Sequence, residues 1–143
     1  MAPTVTADSL RSISDEPVIS IADLCKQYGR NGVRAVNAVS CSVNKGEIFG
    51  LIGPDGAGKT SIVQILAGVL RADSGQARVS GVDVLRTPEN VKGRIGYMPQ
   101  GLGLNLYDSL TVEENIAFFR GLRQVPAARF RENRDRLLAM TRL

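Results

Sequence analysis

The chain has 143 residues, 43% hydrophobic and 22% charged, which fits a globular chain and excludes disorder along its whole length. Two cysteines, Cys25 and Cys41, are too few for a disulfide framework, and with no histidine the residues offer no Ser-His-Asp or Cys-His catalytic set and no His-ligated metal site. The net charge of +4 is uneven: seven arginines against Glu132 and Asp135 make the stretch from Arg120 onward +5, which reads as a solvated helix face or as a surface for RNA, acidic lipid or an acidic partner.

Residues 1–16, rich in Ser, Thr, Asp and Ala, predict a flexible tail with no secretory leader, and no apolar run approaches the ~20 residues of a membrane helix. Val18, Ser20 and residues 21–24 predict a first strand, and residues 26–32 a turn. Val39, Cys41 and Val43 alternate with polar neighbours, the period of a half-buried strand. Residues 48–52 are an apolar run bounded by turn signals, which predicts a strand buried on both faces, as in a parallel sheet. Ile62, Ile65, Leu66 and Val69 recur at helical spacing. Asp73-Ser74-Gly75 ends that unit, residues 76–80 predict a strand, 88–92 a short helix and 95–98 a strand stopped by Pro99. Thr111-Val112-Glu113-Glu114 is a capping box that opens a helix to about Leu122. Pro126 suits the first turn of a last helix, with Ala127, Phe130, Leu137, Leu138 and Thr141 on one face and the arginines mostly on the other.

Gly53-Pro54-Asp55-Gly56-Ala57-Gly58-Lys59-Thr60 fits G-x-x-x-x-G-K-[ST], the loop that holds nucleotide phosphates. Glycines permit positive φ and close approach of backbone, so the amides from Gly53 through Asp55, Gly56, Ala57 and Gly58 form an anion cradle completed by a helix N-terminus. Lys59 is expected on the β and γ phosphates, the Thr60 hydroxyl on magnesium, and Ser61 on a further phosphate oxygen. A GTPase would carry D-x-x-G and N-K-x-D after the loop. The sole D-x-x-G here starts at Asp55, inside the loop, and Asn44-Lys45-Gly46-Glu47 precedes it and ends in the wrong acid.

From Val18 onward the chain resembles the nucleotide-binding domain of ATP-binding cassette (ABC) transporters. Residues 46–53 resemble the strand entering the phosphate loop, Leu66-Ala67-Gly68 and Asp73-Ser74-Gly75 the helix and turn after it, residues 96–100 the Q-loop, and Leu110-Thr111-Val112-Glu113-Glu114-Asn115 the lead into the helical subdomain. The resemblance implies that Tyr28 stacks on adenine and that Gln100 contacts magnesium and the attacking water, a catalytic contribution. Asp55 stands where the family more often has Asn or Ser, and an acid beside the triphosphate opposes it unless the side chain points out. A shorter stretch, residues 98–107 with Glu113-Glu114-Asn115, Phe118 and Phe119, is similar to a ribosome-associated ATPase fused to an exporter-type permease.

The implied fold is α/β: a P-loop core with an N-terminal antiparallel β part and the beginning of a helical subdomain. The family's signature, Walker B strand and switch histidine are not found among these residues, so 17–143 reads as the N-terminal half of a cassette, binding ATP and Mg2+ without hydrolysing ATP alone. The implied partners are a membrane-embedded permease and a second cassette, at the cytoplasmic face of a membrane. The ribosome is an alternative partner, and no DNA is expected. A non-catalytic nucleotide-binding module acting on a partner cassette, and an RNA- or ribosome-facing protein using the arginine-rich end, compete with the transport reading.

Overall fold

In the computed structural model, β1 (Ile19–Gln27) pairs antiparallel with β2 (Arg34–Val43) on one side and with β3 (Ser74–Val79) on the other, and β3 carries the two-residue β4 (Val82–Asp83), giving the order β2-β1-β3-β4. The structure describes residues 16–29, 32–101 and 106–141. The expected tail, apart from Glu16, lies outside them, as do residues 102–105 and Arg142. The chain divides into two units, Met1–Tyr97 and Met98–Leu143.

The first unit is built on an irregular β1. Strict alternation would put Ile21, Asp23 and Cys25 on one face. Instead Ile21 and Leu24 are both buried, three residues apart. Asp23 makes the difference: with φ 47 it is the extra residue of a bulge, opposed to the shorter count on both neighbours (Ile21↔Cys41 then Leu24↔Val39; Ala22↔Gln76 then Cys25↔Ser74). β2 compensates through Ala38, φ 50, between the inward Val36 and Val39. The two bulges lean on each other, since the Asp23 amide donates to Ser40 Oγ at 2.9 Å and the Ala38 amide to Cys25 Sγ at 3.3 Å. Gly75 is what lets β3 pass this bulge. At φ +99, a Cβ there would stand 2.5 Å from Asp23 O and 2.6 Å from Leu24 Cα.

β1 extends through Lys26 and Gln27, so the expected turn is shortened to the residues after them, where the Tyr28 amide donates to Val33 O, and the extension is held by Asp73. Its carboxylate accepts from Lys26 Nζ at 3.1 Å and the Gln27 amide at 2.6 Å, while its own amide donates to Cys25 O at 3.0 Å. The Gln27 amide first, and Lys26 second, hold the Asp73 carboxyl below its ordinary pKa, and in the second unit the Thr111 amide and hydroxyl do the same for Glu114. A depressed carboxylate pKa contributes stability that is complete above the unfolded value and lost as pH falls through the folded one. Melting followed by circular dichroism should therefore show stability constant above about pH 5 and declining below about pH 4. Asp73→Asn should flatten part of that acid slope.

Helix α1 (Lys59–Leu66) lays Ile62 and Ile65 on the sheet face formed by Ile21, Leu24, Val36, Ala77 and Val79, and Val91 of α2 (Glu89–Lys92) closes the same core. Leu24, Val36, Ile65 and Val91 are its most deeply buried side chains. The strands expected at 48–52 and 95–98 do not form. Residues 48–52 and 95–98 belong to no strand, and Ile48 and Ile52 are 101% and 95% exposed. An apolar run states a preference for burial, but a ladder needs a partner, and among the described residues no strand pairs with either segment.

In the second unit, α3 (Val112–Leu122) opens on the expected capping box: the Glu114 amide donates to Thr111 Oγ1 at 3.3 Å and the Thr111 amide to Glu114 Oε2 at 2.7 Å. It closes with Gln124 in the left-handed region, φ 51, as the Gln124 and Val125 amides donate to Gly121 O and Arg120 O. On α4 (Ala127–Thr141) the half-buried residues are Phe130, Asn133, Arg134 and Leu138. Phe130, Leu137, Leu138 and Thr141 line one cavity, as expected of a shared face, although Leu137 and Thr141 stay exposed; Arg134 lies on that face too, 3.6 Å from Glu113.

Candidate functional site

The loop from Gly53 to Gly58 sits between residues 48–52 and α1. Gly56 and Gly58 adopt φ 80 and φ 83, so the left-handed conformation expected of its glycines is used at these two positions and not at Gly53. The Ala57 amide donates to Pro54 O at 3.2 Å, which folds the loop into a turn. Gly58 is also the N-cap of α1, and with no side chain it cannot cap the helix. The first turn of α1 holds no acidic residue. Its leading amides and the positive end of its dipole thus meet no carboxylate from within that turn. Gly58 presses on β2: a Cβ there would fall on the Ala35 carbonyl oxygen. The loop is held against the sheet at a residue that carries no side chain.

Lys59 reaches back over the loop, its Nζ donating to Gly53 O at 2.7 Å and Pro54 O at 2.6 Å. This sets the ammonium beside the loop backbone. Thr60 and Asp55 are exposed, and Ser61 is buried. Tyr28, just past β1, joins this cluster from a point 33 residues earlier: its hydroxyl lies 3.0 Å from Ser61 Oγ. Tyr28 is 46% exposed, and Lys26 Nζ stands 5.7 Å from its ring centroid, steadied by Asp73. Tyr28, Gly53, Asp55, Gly56, Ala57, Gly58, Lys59, Thr60 and Ser61 thus all lie in the first unit, whereas Gln100 is an exposed residue at the start of the second.

Sequence reasoning missed the supporting residues. The Lys26–Asp73 pair spans 47 positions, and no linear pattern announces it. Asn115 is 6% exposed. Its Oδ1 accepts from the Tyr107 amide at 2.8 Å, and its Nδ2 donates to the carbonyls of Tyr107, Leu110 and Thr111 at 3.0–3.1 Å. It fixes the segment that delivers the capping box. Asparagine inside a helix, directly after such a box, was the available signal, because it favours bonds to nearby backbone over helix.

Among the described residues, no group of three or more carboxylates, cysteines or histidines gathers to hold a metal, and no helix is long and apolar enough to cross a membrane. The chain is 39% identical over 129 residues to the probable multidrug ABC transporter ATP-binding protein YbhF of Escherichia coli, matching 90% of this chain and 22% of that protein. It is 36% identical over 131 residues to the Nod factor export ATP-binding protein I of Ralstonia nicotianae, matching 92% of this chain and 40% of that protein. The chain therefore spans well under half the length of these relatives. Its fold matches a solved ATP-binding subunit of an ABC transporter with a TM-score of 0.74 at 24% identity, covering 85% of this chain and 49% of that one. It also matches cbiO1 of Clostridium perfringens, part of the ABC transporter complex cbiONQ, with a TM-score of 0.72 at 20% identity, covering 90% and 52%. The model of the ABC transporter family matches residues 36–143, and with the phosphate-type loop at the head of α1 this makes the chain a member of the ABC transporter family, related to its ATP-binding components.

Proposed function

We propose that residues 17–143 form the N-terminal, ATP-binding half of a transport cassette, with the phosphates of MgATP in the loop of residues 53–58 and adenine on Tyr28. The observation that carries this reading is the uncapped head of α1, with Lys59 folded over a loop held against β2. Gly53, Asp55, Gly56, Ala57 and Gly58 would offer backbone amides, Lys59 the charge, and Ser61 a hydroxyl. The exposed Asp55 side chain keeps its charge in solvent. Magnesium binds oxygen, retains water and takes substrate phosphates as ligands, so a site with few protein donors suits it. Thr60 is its ligand in this proposal. Magnesium would supply neutralisation of phosphate charge.

The exposed Ile48 and Ile52 support the reading of a partial domain, since apolar side chains in an extended segment gain by burial under further chain. The proposed partners are a membrane-embedded permease and a second cassette, at the cytoplasmic face. The ribosome alternative finds no support in the names of the relatives described above, and two of the arginines it relied on are engaged within the unit: Arg134 with Glu113 and Asp135, and Arg120 over the Phe130 ring.

The proposal is tested by MgATP binding and steady-state phosphate release on the 143-residue chain, with Lys59→Ala as the contamination control. Binding with background release is expected. Lys59-dependent turnover near ~1 s⁻¹, the low end of ordinary enzyme rates, would mean that these residues already hold a complete catalytic set.

A further inference from the structure

Tyr28 and Ser61 share one hydrogen bond of 3.0 Å, in which either hydroxyl can donate. Ser61 is the third residue of α1 and only 7% exposed, so few groups compete for its oxygen. The direction of that bond decides what Ser61 offers a ligand. If Ser61 donates to Tyr28, its single proton is spent. If Tyr28 donates, Ser61 accepts and keeps its proton for a third group. Phosphate oxygens at neutral pH accept, so a ligand phosphate at Ser61 selects the second arrangement.

We infer that Tyr28 is a positioning residue for the phosphate end of the site: its hydroxyl donates to Ser61 Oγ and so aims the Ser61 proton at a polyphosphate oxygen. This rests on the proposed reading of the loop as a phosphate site and adds to the ring's role toward a base. Bonds in such a chain polarise each other, so the Ser61-to-phosphate bond is stronger for being fed. Tyr28 is itself held in place. Its amide donates to Val33 O at 3.2 Å, and Lys26, paired with Asp73, stands over the ring. Stacking alone would make Tyr28→Phe nearly neutral for every ligand. The hydroxyl link makes it costly for a ligand that has phosphates and no base.

The probe is therefore inorganic tripolyphosphate with Mg2+, titrated calorimetrically into the 143-residue chain. Tyr28→Phe should weaken it about three- to tenfold, the worth of one hydrogen bond. Ser61→Ala should do the same, and the double variant should be no worse than Ser61→Ala. Ser61→Thr keeps a hydroxyl and should keep the sensitivity to Tyr28→Phe, which a merely structural role would not produce. Ligand-free melts check that each variant is folded, and Ser61→Thr carries the comparison if Ser61→Ala is not. If Lys59→Ala weakens tripolyphosphate while Tyr28→Phe binds it like the wild type, the inference falls and the phosphate site stands. Additive losses in the double variant also overturn it. If Lys59→Ala binds like the wild type, the phosphate reading fails and takes the inference with it.

Discussion

Gly58→Ala should destabilise the first unit far more than Gly56→Ala, although the two glycines lie two residues apart in one loop with nearly equal φ of 83 and 80. Both substitutions put an alanine in the left-handed region, which costs roughly 1–2 kcal/mol. Gly56 has open space around its Cβ direction, so its cost should end there. At Gly58 the new methyl lands on the Ala35 carbonyl and comes within 3.4 Å of Val36 Cγ2. The head of α1 would have to lift off β2, and overpacking of this kind adds about 1–3 kcal/mol. A total of about 2–5 kcal/mol is a large part of a stability of roughly 5–15 kcal/mol. Urea denaturation of both variants measures the difference. Equal midpoints would show that β2 does not confine the loop.

Lys59→Ala should weaken MgATP by about tenfold to a hundredfold in the calorimetric titration. Charge-assisted bonds to phosphate contribute ~1.5–3 kcal/mol each, and Lys59 is proposed to make at least two. The estimate stays at the lower end for a structural reason. The ammonium already donates to Gly53 O and Pro54 O, so turning to a phosphate exchanges bonds instead of creating them. The same contacts imply a second readout: without the lysine, the loop loses its tie to the helix head, and amide exchange at Gly56 and Ala57 should speed up. An unchanged ATP affinity would remove Lys59 from the site.

What was legible in the sequence was what is local. The phosphate-type loop and its helix are decided within about a dozen positions, and so is the capping box, whose bonds span three residues. The helix that follows ends at Leu122, as the pattern indicates. Strand pairing is not local. The run at 48–52 carries the composition of a buried strand, yet composition cannot supply the neighbour that makes it one. The bulges were hidden for another reason: Asp23 and Ala38 sit at positive φ without being glycine, so no residue type marks them. Tyr28 was assigned a ring and turned out to have a bonded hydroxyl as well, because its partner Ser61 is 33 positions away.

The bulge at Asp23 is, in effect, a counting error that the fold depends on. In a regular strand, Tyr28 would point to the face opposite Ile21, since seven positions separate them and seven is odd. The extra residue shifts the alternation, so that Leu24 follows Ile21 into the core under α1, and Tyr28, just past the strand, reaches Ser61 of α1. The reach of Tyr28 to Ser61 is therefore set five residues upstream, at a position that touches neither. Deleting Asp23 would keep every residue proposed for the ligand and still turn the tyrosine to the wrong side of the sheet. In this chain the aim of a binding residue is a matter of parity.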